Sequence, residues 1–202
     1  EVPTIEHEML EDQVGYIMIT EFDGVTDEQF KEALTELQNQ GMESLVIDLR
    51  NNGGGSVESV CNIADELLPE GAIVYTEYKG NERIARNSDA DCINLPMSVI
   101  INGATGSASE ILSGALQDYG VATIVGTQSY GKGIVQSTLD LQDGTALKLT
   151  TAKYYTPNGN DIHGVGITPD VEIDLPEELK TEVTLSFEED VQLQKAKEVL
   201  QQ

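Results

Sequence analysis

The sequence predicts an α/β fold built around a mixed sheet. Two observations carry this. Three times along the chain a short apolar run reads as a strand, passes through a loop and enters a segment with helical apolar spacing. Residues 134–155, by contrast, hold two long β runs with no helix between them, which makes the sheet mixed rather than purely parallel.

The elements follow in order. VGYIMITEF (14–22) alternates apolar and other residues and reads as a strand. The next helix has Thr26 as its expected N-cap, Phe30, Ala33, Leu34 and Leu37 on one face, and Gly41 as its stop. SLVIDL (44–49) reads as a strand buried on both faces, followed by the glycine run Gly53–Gly55. A helix is expected from about 56 to 68, with Val57, Val60, Ile63, Ala64 and Leu67 inward. IVYTEY (73–78) and MSVIIN (97–102) read as strands, SASEILSGALQDYG (107–120) as a helix and VATIVG (121–126) as a strand. IVQSTLDL and TALKLTTAKYY then form β runs joined by a turn at DGT (143–145). A Gly/Pro/Asn-rich loop follows, and the tail from Ser186 reads as an acidic helix.

The 202 residues suit one domain with a sizeable core, or at most two small ones. A net charge of −25 would repel phosphates and anionic lipid, which argues against nucleic acid and membrane surfaces as partners. No apolar run approaches the roughly 20 residues of a membrane span. The chain begins at Glu1 with no signal peptide and reads as a mature or excised fragment. Cys61 and Cys92 would either pair, if the chain is exported, or remain core thiols. There is no HExxH and no Cys/His metal spacing, so neither a metal nor a cofactor is expected.

Ligands in α/β sheets gather at the carboxyl ends of strands. DLRNNGGGS, INGATGSASE and VGTQSYGKG all fall there. In GSASE (106–110), Ser107 and Glu110 fit a capping box. The same turn would also suit a nucleophile, with the Ala108 N–H and the helix N-terminus favouring a developing negative charge. Such a serine needs a base. His7 and His163 are the two histidines, and a Ser–His–Asp triad would need His163. The other choice is a neutral lysine, and Lys132 in SYGKG lies at the same sheet edge. GTQSYGKG is not a phosphate loop, because Gly133 stands where GxxxxGK[ST] needs Ser or Thr.

Together these motifs resemble the C-terminal processing peptidases, or tail-specific proteases, across about Val14–Leu200. DLRNNGGG (48–55) is similar to the family's DLRNNPGG, and GSASEILSGALQDYG (106–120) to its SASASEI…A-QDYG. GTQSYGKGIVQ (126–136) and KYYTPNGNDIHGVGITPDVEI (153–173) resemble its G-x-x-[ST]-[FY]-GKGxVQ and YYTPxGRSIxGxGIxPDVEV segments. The resemblance implies a crotonase/ClpP-like core of strand–loop–helix units and a Ser–Lys serine endopeptidase that cleaves polypeptides near their C-termini. By position it implies Ser107 as nucleophile rather than Ser109, Lys132 as base in a partly buried site, and Gln136 as the residue that positions the lysine. The oxyanion donors would be the N–H of Ala108 and of Gly54 or Gly55, since position 53 is often Pro in the family and then has no N–H.

Thr105 stands where the family usually has Ser, and Asn160–Asp161 replaces the Arg of GRSI and its neighbour. The family usually places a substrate-gating PDZ domain before the segment near Val14; only Glu1–Gln13 precede it here. Residues 1–202 are therefore expected to be a single catalytic core cut from a longer protein, which the resemblance makes extracytoplasmic, in the bacterial cell envelope, and a homo-oligomer candidate when intact. A core that keeps the fold as a binding or scaffold domain without turnover is the other reading.

Overall fold

The computed structural model describes residues 2–141, 143–179 and 185–201. In chain order the strands are β1 (Ile5–Met9), β2 (Val14–Ile19), β3 (Ser44–Asp48), β4 (Gly71–Tyr78), β5 (Arg83–Ser88), β6 (Met97–Ile101), β7 (Ala122–Gly126), β8 (Ile134–Asp140), β9 (Ala146–Tyr155) and β10 (Val171–Glu172). The helices are α1 (Thr26–Asn39), α2 (Val57–Asp65), α3 (Ala108–Tyr119) and α4 (Val191–Val199).

A six-stranded sheet in the order β1-β2-β3-β6-β7-β10 forms the centre. β2, β3, β6, β7 and β10 are parallel, and β1 is antiparallel to β2. Alternation along the strands sorts the side chains between two faces. Ile17, Ile19, Leu45, Ile47, Val99, Ile101 and Ile124 pack beneath α1, α2 and α3. Val14, Tyr16, Val46, Ile100 and Val125 meet Leu193 and Ala196 of α4 on the other face. Ser98 Oγ donates to the Ala196 carbonyl oxygen at 3.0 Å and pins that helix to β6.

The α/β class and the mixed sheet agree with the sequence, but the mixing has another source. β8 and β9 leave the central sheet and join β4 and β5 in a second, antiparallel sheet of order β5-β4-β9-β8. The antiparallel member of the central sheet is β1, which, like β5 and β10, the sequence pattern does not mark. β1 is a largely exposed edge strand and β10 has only two residues, so neither carries an apolar period.

Two helix starts also differ. Thr26 is the first residue of α1, not its cap, because its hydroxyl turns back to Asp23 Oδ1 at 2.9 Å. The tail helix starts at Val191, later than Ser186, where Asp190 caps it by accepting from the Gln192 and Leu193 amides. Cys61 and Cys92 are free thiols, Cys61 buried.

Candidate active site

β3, β6 and β7 are adjacent and parallel, so their carboxyl ends open on one edge. Three loops leave that edge: 49–56 toward α2, 102–107 toward α3, and 127–133 toward β8.

Ser107 stands at the mouth of α3 with φ 58° and ψ −115°. This conformation is costly for a residue with a Cβ, on the order of 1–3 kcal/mol, and persists only where its surroundings enforce it. Glu110 does much of the enforcing. One carboxylate oxygen accepts from the Ser107 N–H at 2.8 Å, the glutamate half of a capping box. The serine half is looser: Ser107 Oγ lies over the Glu110 amide, but the well-directed bond from that amide goes to the Ser107 carbonyl oxygen at 3.0 Å. Ile111 N–H also donates to that carbonyl. The Ala108 N–H, first in the helix, has no acceptor among the described residues and points its partial positive charge into the turn.

Glu110 reaches further than a cap. It is wholly buried, yet accepts four hydrogen bonds. Besides Ser107 N–H, they come from Ser129 Oγ at 2.6 Å, Gly131 N–H at 2.6 Å and Lys132 N–H at 2.8 Å. One carboxylate thus fixes the backbone of the Ser107 turn and the backbone of the Lys132 loop together, and four donors replace its water.

Asn52 performs the matching task for the glycine loop. Its side chain is buried, donating to the Ile19 carbonyl oxygen at 2.8 Å and accepting from Gly54 N–H at 2.8 Å. Its carbonyl oxygen accepts from Gly106 N–H at 2.9 Å and from Ser109 Oγ at 3.0 Å. Ser109 is therefore an internal strut. Gly54, at φ 102°, lies directly against the turn: a Cβ there would stand 2.6 Å from Ser107 Cβ and 2.8 Å from Ala108 N. Only glycine permits both that φ and that approach.

The Gly54 N–H is engaged by Asn52, so it is not a free donor as it stands. The Gly55 N–H, like that of Gly53, has no acceptor among the described residues.

The structure brings Ser107, Ala108 and Gly54 into contact and ties Lys132 to them through its backbone. It does not join the side chains of the expected dyad. No hydrogen bond links Ser107 Oγ to Lys132 Nζ, and Lys132 is exposed, not partly buried as expected. Gln136 is exposed on β8, and its side chain makes no hydrogen bond among the described residues. β8 is the outer strand of the second sheet, and in the loop that enters it Gly131 and Gly133 are buried while the Lys132 side chain between them is exposed. His163 is bonded through its N–H to Asp161 Oδ1 and His7 through its ring to Glu36; neither contacts Ser107. A cleft of about 670 Å³ lined by Gln117, Asp118, Asp161 and Asp170 holds none of Ser107, Ala108 and Lys132. Among the described residues no group of three or more His, Cys, Asp or Glu side chains is placed to hold a metal ion.

Comparison with known proteins matches this arrangement to a family. A model described as peptidase family S41 covers residues 13–173. The chain is 41% identical over 189 residues to a carboxyl-terminal-processing protease of Synechocystis sp., covering 93% of this chain and 44% of that protein. It is 39% identical over 173 residues to a chloroplastic C-terminal processing peptidase of Tetradesmus obliquus, covering 85% of this chain and 37% of that one. The solved photosystem II D1 C-terminal processing protease superposes with a TM-score of 0.80 at 33% identity, over 89% of this chain and 51% of that chain. The chain thus spans less than half the length of the two curated relatives. The matched segment runs from the start of β2 to β10 and contains every loop of the site; the chain belongs to peptidase family S41.

Proposed function

We propose that the chain is the catalytic core of a serine endopeptidase of the C-terminal processing type. The observation that carries this is the strained Ser107 turn, with an unpartnered Ala108 N–H, held by one buried carboxylate to the backbone of Lys132. Neutral Lys132 takes the Ser107 proton, and Oγ attacks the peptide carbonyl carbon. The Ala108 and Gly55 N–H groups receive the oxyanion. The tetrahedral species collapses, the amine leaves with the proton from Lys132, and an acyl-serine ester remains. Lys132 then takes a proton from water as its oxygen attacks the ester carbonyl carbon; the C–Oγ bond breaks, Lys132 returns the proton to Ser107 Oγ, and the carboxylic acid product leaves.

In the present geometry the Lys132 side chain is exposed, so it must swing toward Ser107 before the first step. Gln136, four residues on, is the side chain we assign to steer that swing.

Ser107→Ala and Lys132→Ala are each expected to abolish cleavage of an unfolded polypeptide while leaving the melting temperature close to that of the parent. Undiminished cleavage by either variant would sink the mechanism. The exposed Lys132 side chain favours one other reading, a core that binds polypeptide without turnover. Labelling by a serine-reactive probe that disappears in Ser107→Ala separates the two in favour of the enzyme.

The reading extends to the intact protein: an extracytoplasmic enzyme, secreted or anchored in a bacterial envelope, with a substrate-gating PDZ domain and capable of homo-oligomerisation. Its support is the likeness to bacterial and chloroplastic processing proteases. Among the described residues, no helix is long and apolar enough to cross a membrane.

A further inference from the structure

Arg50 begins the glycine loop and has no part in the chemistry above. Its side chain is nearly buried, at 13% exposure, between two carboxylates. On one side it folds back on Asp48, with Nε 3.0 Å from each oxygen and Nη2 at 2.5 Å. On the other it crosses to the far end of the chain, with Nη2 2.6 Å from Asp190 Oδ2 and Nη1 3.1 Å from Gln192 Oε1. Tyr16 closes the cluster by donating to Asp48 Oδ2 at 2.8 Å.

Asp190 does two things with two oxygens. Oδ1 caps α4, and Oδ2 holds Arg50. A cap needs no charge, since Asn or Ser serves as well. Two buried carboxylates on one guanidinium are also poor evidence for stability, given what desolvation costs. A planar fork gripped on both sides does fix direction. The direction fixed here is that of the backbone leaving β3. Asn51 (φ 61°) follows, its N–H on Asn102 Oδ1, and then Asn52 with its grip on Gly54.

We infer that Asp190 is a positioning residue: through Arg50, helix α4 sets the glycine loop against Ser107. The inference rests on the reading of Ser107 as nucleophile and of this loop as the oxyanion donor. α4 is thereby part of the active-site frame, although it lies on the opposite face of the sheet from α3.

The test is Asp190→Asn in the full chain, which keeps the cap and removes the charge facing Arg50. Backbone hydrogen exchange at Asn51, Asn52 and Gly54, the hydrogen-bonded amides of the loop, is expected to rise about ten-fold or more, while β6 and α3 keep their protection. The kcat for a polypeptide should fall by about ten-fold or more at nearly unchanged KM, the mark of an interaction realised in the transition state. Affinity for a peptide boronate at Ser107 should fall in parallel. Arg50→Lys, which keeps the charge and loses the fork, should reproduce these effects. Leu37→Ala, remote from the cluster, should lower the melting temperature without lowering kcat at 25 °C. Unchanged exchange at Asn51, Asn52 and Gly54 overturns the inference whether or not the chain turns over, and so does raised exchange with unchanged kcat. Undiminished cleavage by Ser107→Ala would instead defeat the nucleophile reading, and the exchange measurement would still report on the clamp.

Discussion

At the scale of single residues the site depends on groups that do no bond-making. Glu110 holds the Ser107 and Lys132 backbones with one carboxylate. Glu110→Gln preserves the shape but turns an amide NH₂ toward donors. Each donor left unpaired in the interior should cost about 1–3 kcal/mol. Urea unfolding should therefore show a loss of that order or more, and cleavage should fall steeply because the turn and the lysine loop separate. A variant with parental stability and rate would show that the carboxylate grip is dispensable. Ser107, Glu110 and Lys132 are legible in the sequence because each sits in a short pattern with a mechanical reason. Asn52 is not: its five bonding partners include Ile19 and Gly106, far away in the chain, and nothing local distinguishes a buried Asn before glycine from an exposed one.

At the scale of elements the two sheets behave differently. In the central sheet β2, β3, β6 and β7 are covered on both faces, as the apolar run 44–49 led one to expect for β3. In the hairpin β8–β9, Leu139 faces Leu147, and Leu141 and Leu149 lie on the same side by register, all four between 42% and 51% exposed. These leucines have the alternation of a core strand without the core. Leu139→Thr and Leu147→Thr should each stay within about 0.5 kcal/mol of the parent in urea unfolding. Leu37→Ala, inside the main core, should lose about 2–5 kcal/mol. A large loss at Leu139 or Leu147 would mean that the face is covered in solution. Apolar alternation thus located the strands but could not assign them to a sheet, since hydrogen bonding to β4 rather than β7 is a long-range choice.

At the scale of the whole molecule, burial in the layer between the sheets bears on alkaline stability. Burial pushes the Cys61 thiol up to about 11 and the Tyr154 phenol up to about 12. In the unfolded chain these groups ionise from about pH 9 and about pH 10. Above those values the unfolded state loses protons that the folded state keeps, so folding free energy falls as pH rises. Stability attributable to Cys61 should be intact below about pH 8 and decline by roughly 3 kcal/mol as pH approaches 11. Cys61→Ala should flatten that part of the curve, measured by urea unfolding at each pH; an equally steep decline in the variant would place the cause elsewhere.

What the sequence determined by itself is local and periodic: which runs are strands, which faces of the helices are apolar, and which loops lie at the carboxyl ends of strands. That was enough to place Ser107 on a turn and to align it with Lys132 and the glycines. The tertiary structure alone decided that Lys132 stands exposed, that β8 and β9 belong to a second sheet, and that α4 reaches Arg50 from the other side. These outcomes turn on burial and on partners far apart in the chain, 140 positions in the case of Arg50 and Asp190. Short-range periodicity carries no information about such partners, because any exposed or buried environment consistent with the pattern satisfies it equally.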